Sequence, residues 1–195
     1  EPRSFIEWAL VLAILVVLSF DILEALPPPS DADSLAYHFA TPKLFLEAQG
    51  LFFIPRAQDG AAPLLQQMTF LAALGIGGEG ALTLWTTVSG WMAAALLFLV
   101  IREYVPRKWA LATSLLFLTT PAVVYGAGSG QVEVRNAMFV LAATAACAKA
   151  LQTDQIKFTV LAGLAAGFYV GSKYPGLLFA FACGMTLLLQ NRPLK

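Results

Sequence analysis

Three polar groups interrupt an otherwise apolar sequence. The first is "SDADSLAYHFATPK", which sets Asp31 and Asp33 two residues apart and follows them with Tyr37, His38 and Lys43. The second is "GSGQVEVRNAMF", with Glu133 and Arg135; the third is "GSKYPG", with Lys173 and Tyr174. A carboxylate within hydrogen-bond reach of an acceptor hydroxyl can serve as its general base. A lipid-linked phosphate leaves without a protonating acid, and Lys or Arg stabilises the charge that grows on it. Two carboxylates and a basic group at a lipid boundary therefore suit transfer of a sugar from a polyprenyl phosphate.

Each of these residues also has a plainer reading. Ser30, Asp31 or Asp33 can cap a helix beginning near Ser34, because their oxygens accept from unpaired first-turn amides. Leu35 and Phe39 would then form its apolar face, Pro42 would bend or end it, and Gly50 would close the following "KLFLEAQG". Glu133 can pair locally with Arg135, and Lys173 can snorkel to the headgroups. His38, the single histidine, has no second ligand nearby in sequence and reads as a hydrogen-bonded interfacial side chain.

The elements that must position these groups are membrane helices. Hydrophobic residues make up 58% of the 195 residues and charged residues only 12%, half the share of an ordinary soluble domain. The expected fold is an all-α polytopic membrane helix bundle. Net charge is zero and no basic stretch is long enough to track phosphates along a polymer, which argues against nucleic acid as a partner. Cys147 and Cys183 lie in apolar segments without metal-ligand spacing and read as small core residues. The run "WALVLAILVVLSF" has no A-x-A-like cleavage site after it and reads as a retained anchor. The chain opens at Glu1 without Met and ends at "NRPLK", a pattern that leaves room for a longer chain around it.

Segments 5–26, 81–101, 109–126, 136–151, 157–172 and 174–190 approach the ~20 apolar residues a crossing needs, giving about six transmembrane helices. The last two are separated at "GSKYPG" by Gly171, Pro175 and Gly176. Residues 61–76 are short, follow a proline-containing start and carry Gln66 and Gln67. If they lie along the interface, Arg3, Arg102, Arg107, Lys108, Lys149, Lys157, Arg192 and Lys195 fall on one side. Lys43, Arg56, Arg135 and Lys173 fall on the other. That asymmetry obeys the positive-inside rule with a cytoplasmic N-terminus, and it makes 27–80 a first outer loop with interfacial helices. All three polar groups then open on the outer face.

Gly126, Gly128 and Gly130 in "YGAGSGQ" lack the strand, spacing and Lys-Ser/Thr of a phosphate loop and read as a flexible turn. "GLAAG", from Gly163 to Gly167, reads as small-residue packing between helices. No cofactor motif is present, although carboxylates near a phosphate leave a divalent metal open.

The order of "DADSLAYHFATPKLFLEAQG", "DGAAPLLQQMTFLAALGIGG", "REYVPRKWALATSLLFLTTPAVVYGAGSGQVEVRNAMF" and "LAGLAAGFYVGSKYPGLL" resembles the N-terminal portion of GT-C superfamily membrane glycosyltransferases. The likeness is to the protein O-mannosyltransferases and aminoarabinose transferases. It covers nearly the whole chain, taken as one GT-C-like domain over 1–195, possessing an order of motifs rather than one diagnostic motif. The resemblance implies an outward active site in a bacterial inner membrane and a polyprenyl-phosphate-linked sugar as donor. By motif position Asp33 is the base, with Asp31 the competing assignment. Glu133 occupies the second acidic position, where relatives often carry Asp, and "SKY" assigns Lys173 and Tyr174 to the donor phosphate. Tyr37, His38, Lys43 and Arg135 complete the expected substrate-binding set. The alternative is a noncatalytic membrane subunit working with membrane-protein partners.

Overall fold

The computed structural model describes residues 4–55 and 62–189. The described residues form helices and connecting turns, with no strand among them. Arg3, Arg56, Arg192 and Lys195, used above to weigh the topology, lie outside the described residues. The chain forms two compact units, Glu1–Ile54 with Gln67–Met138, and Pro55–Gln66 with Phe139–Lys195.

Helix α1, Phe5–Ala25, begins at a capping box: Glu7 N–H donates to Ser4 Oγ at 3.3 Å and Ser4 N–H to Glu7 Oε2 at 3.2 Å, satisfying two otherwise unpaired amides. Leu12, Leu15, Val16 and Phe20 are all exposed on it, as expected for a helix whose surroundings are lipid tails rather than water. After the prolines, residues 34–38 form one π-helical turn, Ser34–His38, and α2 follows as Ala40–Glu47. Pro42 sits in the first turn of α2 instead of ending a helix, because a first-turn residue needs no intrahelical amide. Closure of α2 falls to Gln49, not Gly50: Gln49 takes φ 52°, and the Gly50 amide reaches back to the Phe45 carbonyl at 3.2 Å. Leu35 is exposed while Phe39 is buried, so the π turn separates two residues that an α-helix would place together.

Helix α3, Leu65–Ile101, is two helices joined at Gly78, whose φ 67° and ψ −163° only glycine adopts readily. The expected boundary between 61–76 and 81–101 is thus real as a kink. The expected span 109–126 is broken. It comprises α4, Arg107–Leu118, and α5, Pro121–Gly128, bent by 63°. Pro121 starts the new helix, and at the bend Thr120 Oγ1 donates to the Leu116 carbonyl at 2.8 Å while Thr119 Oγ1 adds a second bond, at 2.9 Å, to the Leu115 carbonyl already held by the Thr119 amide. Helices α6, Glu133–Thr153, α7, Ile156–Ser172, and α8, Pro175–Leu189, follow.

By length and composition α1, α3 and α6 can each cross a membrane, and α4 with α5 makes a fourth if the bent pair is one span. At 17 and 15 residues, α7 and α8 fall short of the usual crossing length. Length alone therefore supports fewer crossings than six, and the membrane helix bundle stands without that count.

In the first unit α1 packs against α4 and α5. Hydroxyls on α3 join its neighbours: Thr83 donates to the Ala25 carbonyl at 2.7 Å, and Thr87 shares its proton between the Thr83 carbonyl at 3.0 Å and the Ala127 carbonyl at 3.3 Å. Where lipid removes the hydrophobic drive between helices, such bonds and close packing hold the bundle. Phe39, Phe70, Leu74, Leu82 and Val132 form a buried cluster. In the second unit α7 and α8 form a hairpin so tight that a Cβ on Gly176 would lie 2.5 Å from the Val170 nitrogen. The small-residue contact there is shifted by one position from the glycines. Ala162 and Ala166 are buried, whereas a Cβ at Gly163 or Gly167 would meet nothing within 4 Å. Cys183 packs against the cluster formed by Ala146, Cys147 and Ala162.

Candidate active site

The loop after α1 is fastened through Asp31, the residue that caps the helical turn after the prolines. Asp31 Oδ2 accepts from the Ser34 amide at 2.8 Å, Ser34 Oγ at 2.9 Å and Gln131 Nε2 at 3.0 Å, while Oδ1 accepts from the Tyr125 hydroxyl. Ser34 Oγ also faces the Ser129 carbonyl. Its single proton is shared between that carbonyl and Asp31, because a hydroxyl donates once. Burial alone would raise the Asp31 carboxyl, but bonds from Tyr125, the Ser34 amide and hydroxyl, and Gln131 outweigh it and lower it from 3.8 to about 2. A carboxylate held that way is a weak proton acceptor near neutrality.

Asp33 differs in every respect. It is exposed, makes no side-chain cap bond, and lies close enough for its charge to be felt at the Tyr125 hydroxyl. Asp31 therefore ties the loop to the α5–α6 junction while Asp33 presents a carboxylate beside it. Gly130 makes that approach possible. Its φ is +88°, and a Cβ there would lie 2.3 Å from the Phe39 ring and 2.9 Å from Ser34 Oγ. Gly126 and Gly128, read from sequence as part of a turn, belong to α5; a Cβ on Gly126 would press Val134, and one on Gly128 the Glu24 carboxyl. Close packing, not flexibility, explains these two.

Glu133 is exposed at the first residue of α6, where a carboxylate complements the positive helix end. Arg135, two residues further along α6, is 4% exposed. Its guanidinium donates to Ser89 Oγ at 2.7 Å, Thr69 Oγ1 at 2.8 Å and the Trp85 carbonyl at 2.9 Å. It also lies over the Phe70 and Trp85 rings at 5.1 and 5.0 Å, the planar stacking and forked bonding that suit arginine. This geometry anchors α6 to α3. His38 is likewise interior, at 1% exposure. Gln67 Nε2 lies 3.0 Å from its Nδ1, which ties the ring to α3. Tyr37 is half-buried with its ring 4.0 Å from that of His38.

Lys43 is exposed on α2 and its ammonium meets Glu79 Oε1 at 2.7 Å, just past the Gly78 kink. The pair stands at a cavity of about 250 Å³ walled by Pro28, Pro29, Leu35, Leu74 and Leu82. Lys173 and Tyr174 belong to the second unit, at the break between α7 and α8. Lys173 is extended and half-buried with its amide bonded to the Tyr169 carbonyl at 3.0 Å, and Tyr174 is exposed. Among the described residues no three of His, Cys, Asp and Glu gather as a metal site.

Sequence reasoning offered Asp31 as a cap for the turn at Ser34 but did not find Tyr125 or Gln131 as its partners. Nor did it single out Asp21, which accepts from Trp91 Nε1 at 2.9 Å. An acid within an apolar helix was a signal for Asp21; Tyr125 and Gln131 gave none, being ordinary residues beside a turn.

Neither a curated protein nor a solved structure matches the chain. A family model described as dolichyl-phosphate-mannose-protein mannosyltransferase matches residues 63–195. That span includes Tyr125, Glu133, Arg135, Lys173 and Tyr174 and begins after Asp31–Lys43. With about two thirds of its length matched, the chain belongs to the dolichyl-phosphate-mannose-protein mannosyltransferase family, a family of membrane glycosyltransferases of the GT-C type.

Proposed function

We propose that the protein transfers a sugar from a polyprenyl-phosphate donor to a hydroxyl acceptor at the outer face of a bacterial inner membrane, its N-terminus lying in the cytoplasm. The observation that carries this reading is the contrast between the two loop acids. Asp31 is consumed by four donors, and Asp33 stands exposed beside the α5–α6 junction that leads to Glu133. Asp33 takes the acceptor proton as its oxygen attacks the anomeric carbon; the bond from that carbon to the phosphate oxygen breaks, with inversion. Glu133 organises the acceptor, and Lys43 and Tyr37 contact substrate at the loop. His38 and Arg135 hold the framework. The apolar cavity under α2 offers room for part of the donor tail. A divalent cation, if used, would assist at the phosphate.

The test is transfer of labelled sugar from polyprenyl phosphate by the intact protein and by Asp33→Asn. Removing a general base should lower turnover by roughly 10²–10⁴-fold while leaving donor binding in place. Equal turnover in the two proteins would sink the assignment.

A further inference from the structure

We infer that Asp31, Tyr125 and Gln131 form a latch whose task is to position Asp33: Asp31 is a positioning residue, acting through the loop backbone, and not a second base. The inference rests on the proposed transfer for its catalytic consequence, but its structural content stands on geometry alone.

The bonds that hold Asp31 come from two directions. Ser34, three residues on, fixes the turn that contains Asp33 from within. Tyr125 and Gln131, 94 and 100 residues away, fix it from the α5–α6 junction. Asp33 lies between the two anchored residues, Asp31 and Ser34, so its backbone has little freedom while the latch is closed. The π turn adds to the constraint, since the Phe39 amide bonds the Ser34 carbonyl at 2.8 Å. Phe39 is then wedged edge-on against Phe70, with ring centres 5.1 Å apart. Ser129, facing Ser34 Oγ, and Gly130, which admits both Phe39 and Ser34, bring the same junction against the loop. Three donors meet Oδ2 and the Tyr125 hydroxyl meets Oδ1, so both oxygens of the Asp31 carboxylate are engaged by the protein, whereas Asp33 makes no side-chain cap bond.

The experiment uses the whole protein in lipid nanodiscs. Variants are Tyr125→Phe, which deletes one hydroxyl and keeps the ring, Asp31→Asn, and the two combined. Hydrogen–deuterium exchange over residues 31–39 reads the latch without reference to activity. Exchange there should accelerate about tenfold in each single variant, with residues 140–170 unchanged. In the transfer assay kcat should fall roughly 10–100-fold, the scale of a misplaced catalytic group, with the KM for donor within about twofold. The double variant should be no worse than Asp31→Asn alone, because partners in one network are not additive.

Unchanged exchange in Tyr125→Phe overturns the latch whatever the activity. So does an Asp31→Asn protein as inactive as Asp33→Asn with loop exchange intact, which would make Asp31 act on substrate directly. Multiplying losses in the double variant would likewise overturn the shared role. Accelerated exchange in a protein whose parent transfers no sugar supports the latch and sinks the transferase reading instead.

Discussion

Replacing Gly130 by alanine adds one methyl group at the most crowded point of the loop junction. Two costs follow from the structure. At φ +88° a Cβ is disfavoured by about 1–2 kcal/mol. The new carbon would also stand 2.3 and 2.6 Å from two atoms of the Phe39 ring, well inside van der Waals contact. The ring cannot swing away freely, because it is buried at 5% exposure against Phe70, so overpacking adds about 1–3 kcal/mol. The sum, about 2–5 kcal/mol, should lower the melting temperature in nanodiscs by roughly 5–15 °C for a chain of this size. Gly163→Ala is the matched control. Its Cβ meets nothing within 4 Å and its backbone is helical, so it should leave the melting temperature unchanged or raise it slightly, by up to about 1 kcal/mol. Melting of Gly130→Ala within about 2 °C of the parent would refute the reasoning, since it would mean that the loop and the α5–α6 junction are not in contact. A fall of equal size in Gly163→Ala would refute it differently, by showing that glycine itself is needed irrespective of surroundings.

Arg135→Lys keeps the charge but loses the planar fork that reaches Ser89, Thr69 and the Trp85 carbonyl together; a loss of about 2–4 kcal/mol is expected, read as a lower denaturation midpoint. Acid should open the loop through Asp31. Its folded-state value is depressed, from 3.8 to about 2, so the stabilisation is complete above the ordinary carboxylate range and is lost as pH falls towards 2. Allowing for solvent screening, that is about 1–2 kcal/mol. Exchange of residues 31–39, corrected for intrinsic rates, should therefore rise between about pH 4 and pH 2 in the parent and show no such step in Asp31→Asn. A parent without the step would show that Asp31 is not held by its donors.

Much of the architecture was legible because lipid makes simple demands. Long apolar runs became helices, and Pro175 with Gly176 marked the α7–α8 break. The Gly78 kink falls where the polar and glycine-rich "GIGGEG" separates two apolar runs. The bend was missed although Thr119, Thr120 and Pro121 interrupt the apolar run 109–126, because hydropathy registers length without direction. The glycines of "YGAGSGQ" looked like a turn because composition cannot distinguish a glycine that bends from one that admits a neighbour. Motif position favoured Asp33 over Asp31 without a physical ground; the donors from Tyr125 and Gln131 supply a structural difference between the two. Arg135 likewise gave no sign that its partners were two hydroxyls, a carbonyl and two rings on α3.

The span between Asp31 and its distant donors also sets a schedule for biosynthesis. The carboxylate leaves the ribosome 94 residues before Tyr125 and 100 before Gln131. At the usual pace of ~5–20 residues per second, that is a delay of roughly 5–20 s. Throughout it the loop has only Ser34 to hold it, whereas α1 is already apolar enough to enter the bilayer. The loop that carries Asp31 and Asp33 is thus among the earliest parts made and among the last to take shape. A nascent chain stalled anywhere before Tyr125 would hold Asp31 by its local bonds to Ser34 alone.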